Sequence, residues 1–153
     1  MKVHLFNKTA RWCAVSVVAL VMASCELSMS DNGRLDGYWH LVAVDTLSTG
    51  GSHDVSQDKY FWAWQHRLVV VADRAYQTPN RRLLFHFEHR ADMLRLYDAH
   101  IDDRPNGDPP VEDVALLQVY GIDSPDERFI IEALSGSKMI LRSSTLRLYF
   151  RKM

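Results

Sequence analysis

The chain has 153 residues, with 18 Lys and Arg against 19 Asp and Glu and 47% hydrophobic residues. That length makes one domain with an appendage, and that composition excludes wholesale disorder and collagen-like repeats. A formal net charge of −1 lacks the basic balance of a nucleic-acid binder, so no nucleic-acid partner is expected.

The N-terminus reads as an address. Lys2, Lys8 and Arg11 form a positive segment without an acid, and Trp12 to Met22 follows without a charge. That run fits the apolar region of a secretory signal and is too short to span a bilayer, which takes about 20 apolar residues. Met22-Ala23-Ser24-Cys25 resembles a bacterial lipobox, in which a peptidase cuts before the cysteine and the thiol carries a diacylglycerol. The expected division is a lipoprotein signal peptide over 1–24, a lipidated Cys25 with a flexible tether over 25–34, and the folded domain over 35–153. Cys13 leaves with the signal, so Cys25 has no disulfide partner and the domain must rely on its core. Acyl chains contribute ~0.8 kcal/mol per buried CH₂, enough in pairs to hold a protein to a membrane without a spanning helix. The expected location is the cell envelope, anchored by lipid to the outer membrane on its periplasmic or surface face. Cleavage also removes three positive charges and no negative ones, leaving an acidic body.

After the tether the chain alternates with period two between turn residues, which is the pattern of antiparallel strands. Tyr38 to Asp45 is the first strand, with Trp39, Leu41 and Ala43 expected on one face. Leu47 to Lys59, with Ser-Thr-Gly-Gly-Ser, is expected to be a long loop. Tyr60 to Asp73 is one long strand, or two with a bend near Gln65 to Arg67. Arg81 to His89 and Met93 to Ala99 make a hairpin about Ala91-Asp92, with Leu83, Phe85 and Phe87 facing one way. His100 to Pro110 is a break rich in Asp and Pro. Val111 to Tyr120 has apolar spacing and early acids that predict the one short helix. Glu127 to Leu134, Lys138 to Arg142 and Thr145 to Arg151 are three further strands. Seven or eight strands with short connections predict an all-β fold, a small antiparallel up-and-down β-barrel of about eight strands, because closure removes exposed edges.

Catalytic and metal chemistry find little support. No G-x-S-x-G or Gly-rich phosphate loop is present, so no enzyme and no cofactor is expected. His86 and His89 stand three apart, which on a strand puts them on opposite faces, and neither His40 nor His66 completes a known ligand pattern; no metal site is expected. Asp102 to Asp108 has the oxygen density of a calcium loop, but Arg104 and Pro105 break the pattern and a turn is the simpler reading.

Gly37-Tyr38-Trp39 at the start of the first strand resembles the G-x-W motif of the lipocalins and their calycin relatives. The resemblance implies that Trp39 closes the bottom of the barrel under an arginine from the last strand. Arg142, Arg147 and Arg151 are the candidates there, with Arg147 taken as the barrel-closing partner. Taken with the lipobox, the aromatic second strand, Tyr120-Gly121-Ile122 and the ending Thr145 to Lys152, the chain resembles the short lipocalin-like lipoproteins of Bacteroidetes. Two features depart from lipocalins: the mature chain is short, and the long helix before the last strand is missing. Two roles follow as expectations. In the first, the barrel holds a small hydrophobic ligand, with Trp62, Trp64, Phe85 and Phe87 as the lining. In the second, those rings simply fill the barrel, and its loops or outer face dock another envelope protein or inhibit an enzyme. Both keep the membrane as a partner through the lipid on Cys25.

Overall fold

The computed structural model describes residues 30–75 and 82–153. The expected signal, Cys25 and the first part of the tether lie outside the described residues. The described chain forms nine strands: β1 (Gly37–Thr46), β2 (Gly51–Asp54), β3 (Tyr60–Gln65), β4 (Leu68–Asp73), β5 (Arg82–Arg90), β6 (Met93–Ile101), β7 (Glu127–Leu134), β8 (Lys138–Arg142) and β9 (Leu146–Lys152). Neighbours in sequence pair antiparallel from β3 to β9, and β9 returns to β1, closing an eight-stranded barrel. Closure satisfies the backbone donors and acceptors that an open sheet would leave at two edges.

The ninth strand was hidden in the expected loop. β2 pairs with the second half of β1 while β3 pairs with the first half, so β2 and β3 are one strand line interrupted at 55–59. All four β2 residues are exposed, and Gly-Ser-His-Asp has no apolar alternation to betray it. The long aromatic strand resolves into its two-strand form, turning at His66 and Arg67. A second correction concerns β1. A bulge between Leu41 and Ala43 adds one residue opposite β9, so Val44, not Ala43, pairs with inward-facing Leu148. A bulge shifts a strand's facing by one residue, which no period-2 reading of the sequence contains.

The predicted helix over 111–120 contracts to α1 (Ala115–Gln118). Upstream, Pro110 bridges to His100 and the Val111 amide bonds the Ala99 carbonyl, which holds this stretch extended against β6. The Asp113 carboxylate accepts from the Ala115 amide at 2.9 Å and starts the turn only there.

One core fills the barrel. Trp39, Leu41, Trp62, Trp64, Val69, Val71, Leu83, Phe85, Phe87, Leu94, Leu96, Phe129, Met139, Leu141, Leu148 and Phe150 all lie buried within it. Antiparallel alternation puts two sets of connections at opposite ends. The chain start, the β3–β4, β5–β6 and β7–β8 turns and the end of β9 form one end, called the tether end below. The β1–β2, β6–β7 and β8–β9 connections, with the end of β4 and the start of β5, form the other, the loop end.

Candidate functional site

The four expected ligand contacts do come together. Trp62 and Trp64 stand two apart on β3 and so share the inward face, with ring centroids 5.8 Å apart. Phe87 of β5 meets Trp64 edge to face at 4.9 Å. Trp62 meets Phe150 at 5.1 Å and Phe129 at 5.9 Å, both edge-on. Phe85 is fully buried in the same core. Edge contacts of this kind are the favoured arrangement for packed rings, and each ring covers ~150–250 Å².

The indole nitrogens break this apolar picture. Among the described residues neither Trp62 Nε1 nor Trp64 Nε1 has an acceptor, although both side chains are buried. Leaving a buried N–H donor unsatisfied costs about 1–3 kcal/mol, so each of these two groups gains if an acceptor reaches it. Trp39, by contrast, donates its indole N–H to the Leu35 carbonyl at 2.8 Å.

That bond belongs to the lower closure. Leu35, in a 3₁₀ turn at Gly33–Leu35, is fully buried beneath Trp39. The cation over Trp39 is Lys152, with Nζ 5.0 Å from the ring centroid and 2.9 Å from the Arg34 carbonyl. Arg147, the residue taken from the resemblance, is a correction. Its side chain lies on the outer wall and bonds Glu132 at 2.7 Å, where Arg142 meets the same carboxylate. The cause is strand parity: Leu146, Leu148 and Phe150 face in, Lys152 continues that face, and Arg147 and Arg151 face out. The glycine of the motif is explained by the same group. Gly37 has φ +107°, and a Cβ there would stand 3.2 Å from Lys152 Cε. Fastening begins before residue 35: Ser30 and Asn32 bond the Asp36 carboxylate, and Asn32 and Ser30 also bond the backbone of His66.

The upper closure was not foreseen as one. The β6–β7 connection folds over the loop end and sends Leu117, Tyr120 and Ile122 into the core. Tyr120 meets Tyr60 edge-on at 5.7 Å. The apolar spacing of 111–120 carried this signal, but it specified a buried face without saying what that face covers.

The histidines of the expected non-site separate as strand geometry requires. His89 meets the Ala91 carbonyl at the exposed β5–β6 turn. His86 bonds Asp98, whose other oxygen takes His100, and His100 also meets the Asp108 carbonyl at 2.6 Å. Asp98 is the extra residue of a bulge between β5 and β6 and has φ +57°. The Asp108 carbonyl and then Asp98 hold the His100 pKa above its ordinary value, and His100 in turn lowers that of Asp98. A raised His pKa gives stability that is complete below the unfolded value and fades as pH rises through the folded one. A lowered Asp pKa gives stability that fades as pH falls. The cluster therefore stabilises most between about pH 4 and about pH 6.5. His100→Gln is expected to lower the midpoint of thermal unfolding more at about pH 5.5 than at about pH 8.5; an equal loss at both would show that the cluster carries no proton linkage.

Outside the barrel, β1, β9 and the β2 arm border a groove of about 900 Å³. Val42, Leu47, Lys138, Arg147, Tyr149 and Arg151 line it, and the Tyr149 hydroxyl donates to Asp45 at 2.6 Å. Among the described residues no group of three His, Cys, Asp or Glu side chains is placed to hold a metal ion.

The comparisons agree with this architecture. A family model described as a lipocalin-like domain matches residues 20–153. A crystal structure of a lipocalin-like protein from Bacteroides uniformis has a TM-score of 0.62 at 20% identity, over 79% of this chain and 100% of that one. An uncharacterized protein from Bacteroides eggerthii has a TM-score of 0.60 at 17% identity, over 77% and 98%. No curated protein matches the chain. With a closed eight-stranded barrel, a G-x-W strand start under a cation of the last strand, and a family model spanning the whole described region, the chain belongs to the lipocalin-like domain family.

Proposed function

We propose that this protein is a lipid-anchored binding barrel of the cell envelope that takes a small, mainly apolar guest carrying a hydrogen-bond acceptor. The observation that carries the reading is that the neighbouring side chains of Trp62 and Trp64 bury indole N–H groups that find no acceptor among the described residues, in an interior otherwise lined by rings and aliphatic chains. A guest acceptor that reaches either indole N–H would relieve an unsatisfied donor, and the surrounding rings would reject a polar or charged body. The lipocalin-like fold supports a barrel used for binding. The guest must be small, because the described side chains fill most of the interior and Leu117, Tyr120 and Ile122 cover the loop end.

Native mass spectrometry of the mature protein, purified gently from its own host, tests this. A reproducible extra mass is expected, lost on denaturation and lost also from a Trp62→Phe, Trp64→Phe double variant. A bare mass would overturn the reading. The filled interior and the outer groove would then favour the second reading, a solid barrel that docks an envelope protein through its wall.

Anchoring is tested apart from ligand binding. Cys25→Ala is expected to move the protein from the detergent phase to the aqueous phase in a detergent partition assay. Unchanged partitioning would remove the lipid anchor from this proposal.

A further inference from the structure

The charged residues of the barrel are sorted by end. At the tether end stand Arg34, Arg67, Arg90, Lys138, Arg151 and Lys152, against Asp31, Asp36 and Asp92, with Glu88 and Glu132 two residues in from the strand ends and held there by wall arginines. The loop end is acidic, with Asp102, Asp103, Asp108, Glu112 and Asp113 in the β6–β7 connection alone. Pairing follows the same division. The arginines that hold carboxylates are on the wall or at the loop end: Arg95 with Asp126, Arg142 and Arg147 with Glu132, Arg82 with Asp102 and Arg104 with Asp108. Among the described residues, none of the six cations at the tether end has a carboxylate partner. Lys138 and Arg151 even stand directly opposite each other across β8 and β9, an arrangement of like charges that destabilises a sheet unless an anion comes between. Met93 and Ile130 form an exposed apolar pair beside the same rim.

We infer that the tether end of the barrel is a docking face for an anionic phospholipid surface. This rests on the anchored reading above and adds an orientation to it. The chain leaves the barrel at this end, and Ser30 lies five residue steps from Cys25. Fully extended, they span at most about 18 Å. A lipid on Cys25 therefore holds the basic rim close to the headgroups, where charges act over a Debye length of about 8 Å. Rim arginines and lysines gain from anionic headgroups there, and Met93 and Ile130 gain from the interfacial region. The acidic loop end is repelled and faces away, which leaves the segment covering the barrel mouth open to solvent. The excess of acid in the mature chain as a whole conceals this polarity, because the two ends differ in sign.

The experiment uses the unlipidated domain, residues 30–153, so that its outcome is independent of Cys25. That span holds all nine strands and the whole described core, and a solved relative covers 79% of this chain with its entire length. Binding is read by co-sedimentation with vesicles of phosphatidylglycerol and phosphatidylethanolamine, against phosphatidylcholine alone. The domain is expected to bind the anionic vesicles and not the zwitterionic ones. Lys138→Glu with Arg151→Glu should weaken binding at least about tenfold, given roughly a fivefold effect for each cation near such a surface. Lys59→Glu with Arg128→Glu changes net charge equally away from the rim and should weaken it less than about threefold. Circular dichroism checks that both variants fold. Equal losses in the two variants, or equal binding to both kinds of vesicle, would overturn the inference. So would competition by inorganic phosphate beyond that of chloride at equal ionic strength, which would mark a discrete anion pocket instead.

Discussion

Replacing Trp39 by alanine is expected to lower the stability of the domain by about 4 kcal/mol, the largest effect of any single wall residue. Removing a fully buried tryptophan generally costs about 3–5 kcal/mol, because the transferred surface is lost and the cavity only partly collapses. At this position two polar contacts fail as well. The Leu35 carbonyl loses the indole N–H, and the Lys152 ammonium loses the ring beneath it. Trp39→Phe keeps most of the apolar plug and should cost about half as much. Lys152→Met removes the cation while keeping the stem over the ring, and is expected to cost about 1–2 kcal/mol. The two changes share one contact, so Trp39→Phe and Lys152→Met combined should cost less than their sum. Arg147→Ala is the contrasting control. It leaves Glu132 with Arg142 on an exposed wall, where such pairs are worth about 1 kcal/mol or less. Urea unfolding of the parent and the five variants decides the matter. If Arg147→Ala cost more than Lys152→Met, the assignment of the closing cation would be wrong.

The contrast between Lys152 and Arg147 shows how much of this molecule is written in its sequence. Once Thr145 to Arg151 is read as a strand, Leu146, Leu148 and Phe150 define the inward face. Parity then excludes Arg147 and Arg151 from reaching Trp39 and leaves Lys152 as the next inward position. The family pattern asked for an arginine and so overrode a signal already present. The aromatic cluster was legible for the same reason: Trp62 and Trp64, like Phe85 and Phe87, are two apart and must share a face. The bulge at Val42 was not legible, since an inserted residue leaves the local alternation intact on either side and only the register with β9 reveals it. Nor was β2, whose four residues are held by backbone pairing to β1 and bury nothing. The charge polarity of the barrel lay between these cases. Each cation is plain in the sequence, but only the alternation of connections places Arg34, Arg67, Arg90, Lys138 and Arg151 at one end.

Access to the interior turns on the upper closure, and Gly121 is its weakest joint. Gly121 has φ +79°, and a Cβ there would stand 2.6 Å from Leu148 Cδ2, in the packed wall of β9. Gly121→Ala therefore meets two penalties: about 1–2 kcal/mol for a left-handed backbone with a side chain, and about 1–3 kcal/mol for overpacking. The expected total is about 3 kcal/mol if the segment stays docked. The barrel has a cheaper response, which is to release Leu117, Tyr120 and Ile122 from the loop end and keep its eight strands closed. The tryptophans distinguish the two, because Trp39, Trp62 and Trp64 are all buried in the described structure. In the parent protein iodide should barely quench their emission. In Gly121→Ala, a quenching rise with a nearly unchanged unfolding midpoint would mean that the segment lifts as a gate. A fall in the midpoint with emission still protected would mean that the segment is a fixed part of the core, and a guest would then have to enter during folding. Adding Leu148→Ala removes the clashing methyls and should recover part of the Gly121→Ala penalty, so that the double variant costs less than the two single changes added. Strict additivity would show that the strain at Gly121 lies in its backbone alone and that the contact with β9 does not hold the segment down.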